Sequence, residues 1–197
     1  EKILYLMEPG DYLFIAFGHN DEKATGDGKE ASGKYTALLK DLITKTRNKG
    51  GSPILITPIQ RRYFNANGTL KPTHGEFPDA MRKVAQEMQV PLIDVTKMTT
   101  SLYESWGNEL SKKGFVHYPD DAFPGQIRAL ADNTHCNNFG ANEVAKCIVQ
   151  NIKNKGLPLA KNIKPTVPHY IFKNPSKPSD WTVPMSARIE IAKPDGE

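Results

Sequence analysis

The chain has 197 residues and a mass of 21.9 kDa, which suits one domain with or without an appended segment. Apolar types make up 38%, enough for a single buried core, while a mean hydropathy of -0.53 and the lack of any long apolar run exclude a transmembrane helix. Lys and Arg number 26 against 22 Asp and Glu, and the resulting +4 is too small and too dispersed to indicate a nucleic-acid partner.

The run Ile3–Met7 reads as the end of one element. Pro9-Gly10-Asp11 then makes a turn into the continuously apolar Tyr12–Phe17. That run predicts a strand covered on both faces. So abrupt a beginning predicts that Glu1 lies inside a fold. A polar loop is expected from His19 to Gly33. Tyr35, Leu38, Leu39, Leu42 and Ile43 then share one helical face, which Gly50-Gly51 terminates. Pro53–Thr57 reads as a second buried strand, and a loop with Asn67-Gly68 and Pro72 follows. Pro78 opens a helix with Met81, Val84, Ala85 and Met88 on one face. Pro91–Val95 reads as a third strand. Met98, Leu102, Trp106 and Leu110 predict a further helix. Residues 112–134 read as irregular. Ala141, Val144, Ala145, Ile148, Val149 and Ile152 mark the last helix, which Gly156 ends.

Strands and helices that alternate in this way predict an α/β fold with a parallel sheet between two helical layers. The core is expected over 1–157. The proline-rich 158–197 reads as a tail, a linker or an arm lying on a neighbouring surface.

In such sheets ligands bind beyond the carboxyl ends of the strands, so the polar loops there are the candidates. Asn20, in Gly18-His19-Asn20-Asp21, can donate its amide to a developing oxyanion, though the same residues suit an Asx turn. Asp132 and His135 are three apart, so the carboxylate can hold one ring nitrogen and leave the other as a base. The same stretch also suits a helix cap. Arg61 and Arg62 can grip a carboxylate, or can simply pair with acidic neighbours. His74, His117 and His169 show no partner pattern and read as loop residues. Cys136 and Cys147 can be bridged or free, and two cysteines without C-x-x-C argue against a zinc site.

Taken together, Phe17-Gly18-His19-Asn20-Asp21 and Asp132-Asn133-Thr134-His135 resemble two signature blocks of the SGNH (GDSL-like) hydrolases. Leu55–Arg62, Thr73-His74-Gly75, Pro91–Asp94 and the pattern from Thr134 to Ala145 narrow the likeness to the rhamnogalacturonan acetylesterase family, across residues 9–157. The resemblance implies a flavodoxin-like α/β/α fold. It also implies removal of acetyl groups from pectic rhamnogalacturonan by a Ser-His-Asp triad without metal or organic cofactor. Asp132 and His135 match the acid and base, and Asn20 the oxyanion donor. Arg61 and Arg62 are expected to contact galacturonate carboxylates. The family's nucleophile sits in a Gly-Asp-Ser block on the first strand, and no Gly-Asp-Ser occurs here. The first strand is therefore expected to be absent from this chain, with the serine supplied by an N-terminal segment or a second chain. A permuted site and an inactive carbohydrate-binding or scaffold module are the alternatives. The implied substrate places the protein outside the cytoplasm, secreted or periplasmic.

Overall fold

A computed structural model describes residues 2–25 and 29–181. Three parallel strands run side by side: β1 (Tyr12–Ile15), β2 (Ser52–Ile56) and β3 (Leu92–Ile93), with Phe14 opposite Ile54 and Ile56 opposite Ile93. Successive side chains on a strand point to opposite faces. Ile54 and Ile56 accordingly enter one core, formed with α5 (Val95–Ser111) and α6 (Asn138–Asn154). Leu55 and Ile15 enter another, formed with α3 (Lys34–Asn48) and α4 (Phe77–Glu87). This is the expected three-layer α/β/α arrangement, and it explains why β2 is apolar without alternation.

The helices depart from their predicted stripes at a few positions. In α3, Tyr35, Leu39 and Ile43 are buried, but Leu38 is exposed. In α5 the stripe holds through Trp106 and then fails. Gly107 has φ 72° and ψ 175°, which breaks the helix and turns Leu110 out to solvent. The last helix starts earlier than its apolar face, because Asn137 caps it by accepting from the Gly140 N–H at 3.0 Å. Gly140 is required there: a Cβ would sit 1.9 Å from the Gly114 carbonyl oxygen.

Other regions correct the sequence expectations. The third strand is only Leu92–Ile93, because Asp94 already caps α5 by accepting from Lys97 N. Residues 112–134 are not all irregular. β4 (Phe115–Tyr118) pairs antiparallel with β5 (Leu130–Cys136). The polar loop after β1 contains a short helix, α2 (Asp21–Thr25), and Ile3–Leu6 belongs to another, α1 (Lys2–Leu6). Through residue 181 the proline-rich segment is an arm folded onto the chain's own α5–α6 layer. Ile163, Tyr170, Phe172 and Trp181 pack there, and the buried Glu143 carboxylate accepts from Tyr170 Oη (2.7 Å) and Ser176 N (3.1 Å). The rest of that segment lies outside the described residues.

β1 is not covered on both faces as predicted. Among the described residues its only strand partner is β2. Phe14 is 40% and Phe17 56% exposed, and Ile3, Tyr5 and Leu6 of α1 are exposed as well.

Candidate active site

Asp132 and His135 come together through a distortion of the β4–β5 pair. Phe115 pairs with Cys136 and His117 with Ala131, so a two-residue step on β4 faces a five-residue step on β5. Residues 132–135 therefore bulge from the ladder, which re-aims their side chains. One oxygen of Asp132, Oδ1, accepts from the backbone N–H groups of Thr134 (2.6 Å) and His135 (3.0 Å); the other, Oδ2, lies 2.6 Å from His135 Nδ1. Burial pushes the Asp132 carboxyl up, but the hydrogen bonds from the His135 ring and these two N–H groups outweigh it and hold the carboxyl below its ordinary value. An ionised carboxylate only accepts, so Nδ1 carries the proton and Nε2 is left as the basic nitrogen. The His135 side chain is 75% exposed and lines an open cleft of about 560 Å³ with Lys23, Arg61, Tyr63, Lys71 and Thr73.

Asn20 stands beside this cleft at the carboxyl end of β1. Gly18 has φ +117°, and a Cβ there would meet Tyr35 Oη at 2.9 Å, so only glycine fits the turn. Gly18 N donates to Asp21 Oδ2 (2.9 Å), closing the loop on itself. Asn20 Oδ1 accepts from Lys23 Nζ at 2.9 Å. A cation on the oxygen fixes the amide orientation and leaves Nδ2–H to donate elsewhere. Asn20 is thus both a turn residue and an available donor.

Arg61 and Arg62 part company. Arg61 borders the cleft, yet its side chain is only 11% exposed and pairs with Glu22 of α2. It also donates to the carbonyl oxygens of Thr73 (2.9 Å) and His19 (3.3 Å). Arg62 points inward and is buried. Its Nε donates to Asn133 Oδ1 (2.9 Å) and its Nη1 to the carbonyl oxygen and Oδ1 of Asn108 (both 2.7 Å). The expected galacturonate contact is therefore withdrawn for Arg62. It clamps the loop that carries the Asp132–His135 pair, and burial lowers its basicity.

His74 and His117 are not idle loop residues. Buried His74 faces Glu22 Oε2 (2.9 Å) and the Ile59 carbonyl oxygen (2.8 Å), tying α2 to the end of β2. Its ring lies 5.0 Å from that of His19. Burial, then the Arg61 cation and His74, hold the His19 imidazole down at about 4, so His19 is neutral and accepts from Arg61 through Nε2 (3.3 Å). His117 Nε2 lies 2.8 Å from Asn133 Oδ1, adding a second hold on the dyad loop.

The GDSL-like lipase/acylhydrolase family matches residues 5–142. The chain belongs to that family. The rhamnogalacturonan acetylesterase RhgT of Bacillus subtilis is 41% identical over 154 residues, covering 78% of this chain and 66% of that protein. The probable rhamnogalacturonan acetylesterase YesY of the same organism is 34% identical over 83% of this chain and 71% of its own length. A crystal structure of Bacillus subtilis YxiM superposes with a TM-score of 0.64 at 26% identity, covering 79% of this chain and 40% of that one. The chain therefore spans about two thirds of the length of RhgT.

Within this GDSL-like fold Cys136, although next to His135, turns into the core toward Tyr103 Oη (3.7 Å), and burial pushes its thiol up. Cys147 is pushed up to about 12 by burial, and both cysteines are free. No serine or cysteine lines the cleft among the described residues. No cluster of three or more His, Cys, Asp or Glu among them is placed to hold a metal ion. Asp94, at the end of β3, is occupied with Arg82 (2.9 Å) and its capping role.

Proposed function

We propose that this chain carries the base, the acid and an oxyanion donor of an acetylesterase acting on acetylated rhamnogalacturonan. One observation carries the reading: His135 Nδ1 is held at 2.6 Å by a carboxylate that two backbone N–H groups lock in place, while the imidazole faces an open cleft. An imidazole nitrogen held in a fixed orientation is what ester hydrolysis by a hydroxyl nucleophile needs. The names of RhgT and YesY supply the substrate.

The attacking serine comes from a segment outside these 197 residues. It adds to the acetyl carbonyl as His135 Nε2 takes its proton. Asp132 stabilises the resulting imidazolium, and Asn20 Nδ2–H donates to the oxyanion. Collapse expels the sugar oxygen, which receives the proton from His135. Water, deprotonated by the same nitrogen, then releases acetate and restores the serine. The unpaired edge of β1 and the exposed Phe14 and Phe17 support the reading that a further strand belongs there, since an open apolar edge is unfavourable in water. A polymer of this kind is met outside the cytoplasm, which supports a secreted or periplasmic setting.

A second reading, a module that binds acetylated sugar without cleaving it, is favoured by the cleft's lack of serine and cysteine. The two separate on acetate release from acetylated rhamnogalacturonan by the chain together with its serine-bearing segment. Release that disappears in His135→Ala supports the esterase. Binding of the polymer with no release by the wild type supports the module.

A further inference from the structure

With Arg62 buried and Arg61 paired to Glu22, neither arginine is free to read an acidic sugar, and the structure offers a different pair of residues. Asn65 N donates to the Thr69 carbonyl oxygen (2.7 Å), Lys71 N donates to the Tyr63 carbonyl oxygen (2.8 Å), and Phe64 bridges Leu70 antiparallel. Residues 63–71 thus form a small hairpin about Asn67-Gly68, where Gly68 has φ +83°. Alternation fixes its two faces. Leu70 is buried in the α5–α6 core with Phe64 packed beside it, so Tyr63 and Lys71 stand on the opposite face. Directly opposed residues have Cβ atoms about 5 Å apart. Both side chains line the cleft that contains His135, and both are solvent-exposed.

We infer that Tyr63 and Lys71 form a uronate subsite, which rests on the esterase reading and names how that site holds its polymer. The tyrosine ring offers a flat apolar face for the C–H side of a pyranose ring. The lysine ammonium, about one residue width away, meets the ring's carboxylate. Among the described residues no acidic side chain pairs with Lys71. Of the other charged groups in the cleft, Arg61 is neutralised by Glu22, while Asp132 stays an ionised carboxylate bound to the His135 ring. Lys71 and Lys23 against the one Asp132 carboxylate leave the lining with one excess positive charge, which suits a polymer with one carboxylate on each uronate. Such a subsite would seat a uronate ring next to the acetylated one and so present the acetyl group to His135.

The test uses the 197-residue chain, calorimetry and two probes: a deacetylated rhamnogalacturonan oligosaccharide, and the same oligosaccharide with its carboxylates reduced to alcohols. Lys71→Gln should weaken binding of the acidic oligosaccharide about fivefold and leave the reduced one unchanged. Tyr63→Ala should weaken both about tenfold, with Tyr63→Phe close to wild type. Both residues are exposed, so the melting temperature should not move. Equal binding of the two oligosaccharides by the wild type, an unchanged Lys71→Gln, no binding at all, or equal binding of a sulfated oligosaccharide would each overturn the subsite. Acetate release, measured on the chain joined to its serine-bearing segment, separates the two claims. If release fails while the Lys71-dependent preference persists, the esterase reading falls and an acidic-sugar site remains. If release proceeds and the preference is absent, only the subsite falls.

Discussion

The two walls of the cleft are built in opposite ways. One wall is Asp132 and His135, three residues apart, largely exposed and held by backbone N–H groups of their own loop. The other is Arg61, backed from beneath by Glu22 and His74, all three mostly buried, with Glu22 and His74 separated by 52 residues. The exposed wall makes few packing contacts, so its side chains are free to exchange protons with a substrate. The buried wall holds ions that would be costly to leave unpaired, so it fixes the loop bearing Asn20. Chemistry and rigidity are thus assigned to different residues, and substitutions should separate them.

The largest effect expected is on turnover. His135→Ala, in the chain joined to its serine-bearing segment, should lower kcat at least about a thousandfold while leaving the melting temperature unchanged. Loss of fold in this variant would erase the contrast between the walls. Next comes stability. His74→Ala or Arg62→Ala, measured by urea unfolding, should each cost about 3 kcal/mol, because each removes a buried, hydrogen-bonded side chain and leaves part-buried acceptors without their donor. A cost under about 0.5 kcal/mol would show that the buried network is dispensable.

A smaller effect is predicted for Lys23→Ala. Freed from the ammonium, the Asn20 amide loses its fixed orientation, and kcat should fall about tenfold with KM little changed. A rise in KM alone would instead make Lys23 a substrate contact. The smallest effect is on pH. His19 is held down at about 4 when folded against an ordinary value of 6.5, so between those values the unfolded chain binds more protons than the folded one. Stability should therefore rise as pH increases from about 4 to 6.5. The melting temperature at pH 5 should lie below that at pH 7, and His19→Gln should shrink the difference. An unchanged difference would remove His19 from the account.

The contrast between the walls also explains what the sequence revealed. Asp132-Asn133-Thr134-His135 and Gly18-His19-Asn20-Asp21 are local patterns whose geometry forms within one turn, so they can be read directly. The three-layer architecture was legible in the continuous apolar strands and the helical stripes. The buried wall was not, because nothing near His74 in sequence points to Glu22. Arg61 and Arg62 looked equivalent as neighbours. In extended chain adjacent side chains take opposite faces, which sends one to the cleft and the other inward. The β4–β5 pair was hidden by a Gly- and Pro-rich connection and by the polar centre of β5, Asp132-Asn133-Thr134-His135. The Asn67-Gly68 turn was visible, and read as a hairpin it would have placed Tyr63 and Lys71 side by side.

The central claim is that His135 serves a serine lying outside these 197 residues. A fluorophosphonate, which forms a stable adduct with an activated serine, tests it directly when the labelled peptide is identified by mass spectrometry. The adduct should fall on a serine of a Gly-Asp-Ser sequence in the joined segment, with labelling slowed at least about a hundredfold by His135→Ala. An adduct on a residue within 1–197, or labelling that proceeds at an unchanged rate without His135, would contradict the account.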